Sequence, residues 1–119
     1  RMDGRETELA YWDARVASYR DANPYFHAWR GDQAAQGEDW NSARDHYRRA
    51  LELAPDDSRL LYSRGLAHAE LDQPALATGY LRSAIEHAVL RSDIDTYAAR
   101  LRVLQQGQAV PSAGAATDS

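Results

Sequence analysis

An all-α chain of one domain is what the residues predict, and three observations carry that expectation. The apolar set is dominated by 22 Ala and 12 Leu, against 4 Val, 2 Ile and 1 Phe. With 4 Thr there are 10 β-branched residues among 119, too few for a sheet of ordinary size, because strands draw on Val, Ile, Thr and aromatics. Apolar residues also recur at helical spacing between marked caps, with short connections.

Each element has its own signal. Asp3 and Glu6 precede Leu9, Trp12, Val16 and Tyr19, whose 3-4-3 spacing puts all four on one helical face. A stripe of this kind is usually core, so it is expected to pack on the second helix. The first helix ends near Ala22, and Asn23 with Pro24 reads as a cap plus first helical residue. The second helix runs to about Gln36 and Gly37 closes it. Asp39 caps a third helix through Ala54, and Pro55 forbids its continuation. Asp57 or Ser58 opens a fourth helix to about Leu71. Gln73 with Pro74 opens a fifth to about Leu90, and Ser92 with Asp95 opens a sixth to about Gln106. Gly107 is expected to end the sixth helix, and residues 107–119, rich in Ala, Gly and Ser, read as a flexible tail.

Charge and missing residue types narrow the chemistry. The chain has 14 Arg and no Lys, no Cys, and a net charge of −4. Acidic and basic residues are interspersed, so there is no concentrated positive face for nucleic acid or an anionic membrane. No apolar run approaches the roughly 18 residues that cross a bilayer. Without Cys there are no disulfides, thiolate zinc sites, iron–sulfur clusters or cysteine nucleophiles, while the redox compartment stays open. The order Arg1-Met2 reads as an excised or tagged fragment.

Shifted by 34, residues 24–57 superimpose on 58–91 with eight identities: Arg30/Arg64, Gly31/Gly65, Ala35/Ala69, Ala43/Ala77, Arg48/Arg82, Ala50/Ala84, Glu52/Glu86 and Ala54/Ala88. Small residues fall where two helices of a hairpin cross closely, so Gly31 is expected against Ala43 and Gly65 against Ala77. These residues resemble the tetratricopeptide repeat, a 34-residue helix-turn-helix unit with a small residue in its first helix, two Ala in its second and Pro after it. The stretch Ala43 to Pro55 looks like the family's second helix almost residue for residue. The resemblance implies an α-α superhelix of antiparallel hairpins over residues 5–106, with repeats 24–57 and 58–91 flanked by helices 5–22 and 92–106. Three departures stand out. Arg30 and Arg64 occupy a usual Leu position and are expected to pair with carboxylates of neighbouring helices. Gly37 comes one residue early, which implies a longer first turn with Trp40 filling the gap. Val89 replaces the second Pro, which implies a softer exit from the second unit.

Catalytic motifs are missing. The His are His27, His46, His68 and His87, and none forms His-Glu-x-x-His. Each is expected as a partly exposed surface residue rather than a metal ligand. Phosphate loops and a Gly-x-Ser-x-Gly elbow are absent, and Asp56/Asp57 and Asp93/Asp95 read as helix-start residues complementing the dipole. No catalytic residue, metal or cofactor is assigned. The resemblance implies instead a concave groove lined by first helices: Tyr25, Ala28, Trp29, Asp32 and Gln36, then Arg59, Tyr62, Ser63, Leu66 and Glu70, then Asp93, Thr96, Tyr97 and Arg100. Of these, Tyr25, Trp29, Asp32, Arg59, Tyr62, Leu66 and Arg100 are the candidate contacts for a protein or peptide, since aromatics and Arg suit peptide recognition. Trp29 and Tyr62 have core packing as the alternative. The Lys and Asn pattern that grips a peptide C-terminus in this family is lacking. A non-catalytic binding scaffold is the function implied. An accessory domain of a larger bacterial enzyme, transglutaminase-like or protease, and a homo-oligomerisation module stay open.

Overall fold

In a computed structural model the backbone is described for Gly4–Asp118 and the side chains as far as Gly107. Six helices follow in order: α1 (Gly4–Asp21), α2 (Pro24–Gln36), α3 (Trp40–Leu53), α4 (Ser58–Glu70), α5 (Pro74–His87) and α6 (Arg91–Asp118). No strand occurs among the described residues. Helix starts follow local chemistry. Asn23 Oδ1 accepts the Tyr25 N–H at 2.9 Å, Asp39 Oδ1 that of Ser42 at 3.2 Å, and Asp57 Oδ1 that of Leu60 at 3.2 Å, each satisfying a first-turn donor. The Ser42 hydroxyl also donates to Asp39 at 2.8 Å, and these bonds hold the Asp39 carboxyl below its ordinary value. Gln73 does not cap α5, because its Oε1 accepts a hydrogen bond from His68 Nδ1 at 2.7 Å.

Packing runs from neighbour to neighbour: α2 with α3 and α4 with α5 form antiparallel hairpins, and α6 lies on α5. One core cluster joins the two hairpins and α6 through Ala28, Ala50, Leu51, Leu60, Leu61, Ala84 and Tyr97, and a second contains Ala43, Tyr47 and Ala67. Leu60 and Leu81 are fully buried, each worth about 1.5–3 kcal/mol of apolar transfer. The matched glycines make room for different things. Gly65 lies against Ala77 and Leu81, whereas the neighbour of Gly31 is the Tyr47 ring rather than Ala43. The large aromatic one helical turn beyond Ala43 takes the space the glycine leaves.

Several expectations are corrected. The two intra-hairpin turns are equally long, residues 37–39 and 71–73, and each puts a non-glycine residue in the left-handed region, Glu38 at φ 60° and Asp72 at φ 59°. Gly37, at φ −85°, is one residue short of the position that would use its freedom. Trp40 therefore fills no loop gap; it opens α3 and packs half-buried on the Tyr47 cluster. Helix α5 stops at His87 rather than near Leu90, with Ala88 extended (φ −71°, ψ 137°) although Val89 replaces Pro. The exit is thus as sharp as the one after α3. Arg30 and Arg64 make no ion pair among the described residues. Arg30 lies over the Phe26 ring at 5.8 Å and Arg64 over the Tyr80 ring at 4.5 Å, so ring faces take the part assigned to carboxylates. His27 and His68 are buried rather than surface residues. His27 Nε2 bonds the Asp21 carbonyl at 2.8 Å, and His68 stacks on Tyr80 with centroids 5.3 Å apart.

The chain's two ends also differ from expectation. Helix α6 continues past Gly107, which has no positive φ and so makes no helix-ending turn. The flexible tail expected over 107–119 falls on residues whose side chains, from 108 onward, lie outside those described. Helix α1 buries no residue at all. Its stripe does not pack on α2: Leu9, Trp12, Val16 and Tyr19 are 53–65% exposed. These two helices extend the molecule to a radius of gyration of 19.6 Å, where a compact chain of this length has about 13–14 Å.

Candidate functional site

The first helices α2, α4 and α6 share one face of the stack, and its polar centre is Asp32. Because Gly31 lacks a side chain, the Tyr47 ring can lie against α2, and its hydroxyl donates to Asp32 Oδ1 at 2.6 Å. Burial first, then Asp32, pushes the Tyr47 hydroxyl pKa well above the usual phenol range. The other oxygen of Asp32 accepts from Arg59 Nη2 at 3.1 Å. Asp57 caps α4, and this sets Arg59 in the first turn where it reaches back to α2. The Arg59 side chain is mostly exposed and that of Asp32 about one-third exposed, so the pair adds roughly 0–1 kcal/mol to stability. Both oxygens of Asp32 are occupied.

Toward α6 the groove becomes apolar. Tyr62 of α4 stacks on Tyr97 of α6 with centroids 4.4 Å apart and rings inclined by 22°. Tyr97 is buried, and burial, followed by the nearby Asp93, raises its hydroxyl pKa. This stack fixes the spacing of α4 and α6. Beyond it opens a cavity of about 500 Å³ whose walls are Leu66, Ala69 and Glu70 from α4 and Arg100, Val103 and Leu104 from α6, with Asp72, Pro74, Leu81 and Gly107 completing it. Among the described residues, neither Glu70 nor Arg100 makes an ion pair.

The structure thus brings Asp32 to Arg59 and Leu66 to Arg100, and it sets Tyr62 on Tyr97 as part of the packing between helices. Tyr25 and Trp29 lie on the exposed surface of α2, with Trp29 stacked on Phe26 at 6.3 Å. Neither lines the cavity. Sequence reasoning placed Asp93, Thr96, Tyr97 and Arg100 of the sixth helix in the groove and missed Val103 and Leu104. Their spacing of three and four residues from Arg100 was the signal available. No group of three His, Asp or Glu among the described residues could hold a metal ion, and none of the described helices is long and apolar enough to cross a membrane.

A family model described as TPR repeat matches residues 31–72, which run from the Gly31 crossing through α3 and α4 to the Asp72 turn. The matched segment and the order of six helices support a tetratricopeptide repeat assignment. No curated protein matches it. Tetratricopeptide repeats suggest a protein-interaction scaffold, and the family is generally non-catalytic. That fits a face built from aromatic rings, one satisfied carboxylate and an apolar cavity.

Proposed function

We propose that the chain binds a segment of a protein partner along the face formed by α2, α4 and α6, without catalysis. The cavity between α4 and α6 is the observation that carries this reading. An apolar side chain of the segment fits against Leu66, Leu81, Val103 and Leu104, and Arg100 at the rim offers a fork of donors to a carboxylate or carbonyl beside it. Glu70 and Asp72 on the opposite wall favour a donor on the segment's other side. Burying one aliphatic anchor yields about 1.5–3 kcal/mol, so useful affinity needs further contacts, and Tyr25, Trp29 and Arg59 supply the exposed candidates.

Selection of peptides from a display library on the full chain, followed by calorimetric titration, tests the reading. The expected ligands carry an apolar residue next to an acidic one. Leu66→Asp and Arg100→Glu each weaken binding at least about tenfold, a change of 1.4 kcal/mol, while Tyr25→Ala combined with Arg59→Ala reports on the rest of the groove. Unchanged affinity in Leu66→Asp and Arg100→Glu removes the cavity as anchor, and an unchanged Tyr25→Ala/Arg59→Ala variant removes the remainder.

A further inference from the structure

Helix α1 presents an apolar face that stays more than half exposed among the described residues. Trp12 and Val16 are 53% and 58% exposed, and Leu9, Tyr11 and Tyr19 lie in the same range. Among the described residues of α1 the one that is part-buried is Ala17, which is not in the stripe. Arg15 sits over the rings of Tyr11 and Tyr19, 5.7 and 5.4 Å from their centroids, and donates to both hydroxyls. The edge of the stripe is therefore ordered in advance. Helices in proteins draw most of their stability from packing an apolar face, and this 18-residue helix buries none, so the stripe calls for a cover.

We propose that this cover is a second copy of the chain, the two α1 helices pairing antiparallel, stripe against stripe. Spacing is the first argument. Leu9, Trp12, Val16 and Tyr19 recur by 3, 4 and 3, the narrow seam of a two-helix coiled coil rather than the wider face a helix turns to a globular core. Area is the second. An aromatic side chain brings about 150–250 Å², so the half-exposed stripe offers roughly 500 Å² per copy. A pair then buries about 1,000 Å², the lower bound for a specific interface. The same patch on both copies closes as a two-fold dimer.

Charge selects the direction. In a parallel pair the flanking positions set Glu8 against Asp13 and Arg15 against Arg20, like against like. In the antiparallel pair Leu9 meets Tyr19 of the second copy and Trp12 meets Val16, and both Glu8–Asp13 and Arg15–Arg20 contacts are avoided. Asp13 then faces its own copy on one flank. On the other flank Arg15 does the same, but it is already drawn onto its tyrosines.

Light scattering and sedimentation of the full chain, from about 1 μM to about 1 mM, span the range in which so small an interface dissociates. The expected mass climbs from the 13.3 kDa of one chain to about twice that value. Val16→Glu and, separately, Trp12→Ala hold the mass at one chain, with the melting transition of the repeats in place because neither side chain is in the core. A single-chain mass throughout, or a doubled mass that survives Val16→Glu, overturns the proposal. The cysteine-free chain also allows a test of direction. Mixing Leu9→Cys with Tyr19→Cys under mild oxidation is expected to give the mixed cross-link predominantly, and dominant Leu9→Cys self-cross-links overturn the antiparallel arrangement.

Discussion

Gly31→Ala tests how the first hairpin is built. A Cβ there would lie 2.5, 2.7 and 3.0 Å from Cε1, Cδ1 and Cζ of Tyr47, where carbon atoms need about 3.5–4.0 Å. The ring has little room to swing away, being 4% exposed, with its hydroxyl held by Asp32 at 2.6 Å. Replacing a glycine inside a helix gains about 1 kcal/mol. Overpacking costs about 1–3 kcal/mol, and loosening a hydrogen bond to a charged acceptor a further 1.5–3 kcal/mol or so. The net loss is about 1.5–5 kcal/mol, a fall in melting temperature of roughly 5–25 °C at this chain length. Gly65→Ala is the control. Its Cβ meets Ala77 O and two Leu81 carbons at 3.3 Å, contacts that a shift of tenths of an ångström relieves, so its net effect is within about 1 kcal/mol of zero. Urea unfolding followed by circular dichroism measures both. Tyr47→Phe in each background then separates the hydroxyl from the ring, and it should cost less once Gly31→Ala has displaced the ring. A Gly31→Ala midpoint equal to or above that of the parent, or a larger loss for Gly65→Ala, would refute this account of the crossing.

Two further outcomes follow from the turns and from the titrating groups. Glu38→Gly relieves a left-handed residue at φ 60° and should stabilise by about 0.5–1 kcal/mol, the strain released less the entropy of glycine; a melting temperature that stays put or falls counts against it. Burial, then the charges of Arg30 and His27, keeps the His46 pKa below the ordinary imidazole value of 6.5. The unfolded chain therefore takes up more protons than the folded one as pH drops through about 6.5, and stability falls with acidification. The urea midpoint should decline from pH 7.5 to 5.5, less steeply in His46→Gln, and equal slopes would exclude His46 as a contributor.

What the sequence made legible was local. Asn23, Asp39 and Asp57 bond first-turn amides, and Pro24 and Pro74 carry their meaning within a residue or two, so helix starts could be read without knowing what packs where. Contacts between distant residues were less legible. Arg64 meets Tyr80 and His68 takes the side chain of Gln73, and no spacing rule distinguishes those partners from a carboxylate or from water. The stripe on α1 shows the same limit. Spacing reveals that a face is apolar but not what covers it. In the candidate site, Asp32 and Arg59 are 27 positions apart, and the cavity exists because the Tyr62–Tyr97 stack holds α6 at one distance from α4. That distance has no local signature, so Val103 and Leu104 carried no signal beyond their helical period.

The exposed aromatic surface and the cavity lie on different helices of the stack, and this bears on how the two surfaces would act together. Trp12 and Tyr19 of α1 and Tyr25 and Trp29 of α2 are exposed in the first two helices, whereas Glu70 and Arg100, without ion partners among the described residues, flank the cavity between α4 and α6. Asp32 and Arg59 lie between them and are already engaged with each other. A partner segment anchored only in the cavity would not sense whether α1 is paired, so Val16→Glu and Leu66→Asp would act independently, as substitutions sharing no contact do. A segment long enough to reach Tyr25 and Trp29 approaches the helix that joins α1. Its affinity would then change as the dimer is diluted apart. Dependence of affinity on chain concentration is thus a measure of how far along the groove the partner lies.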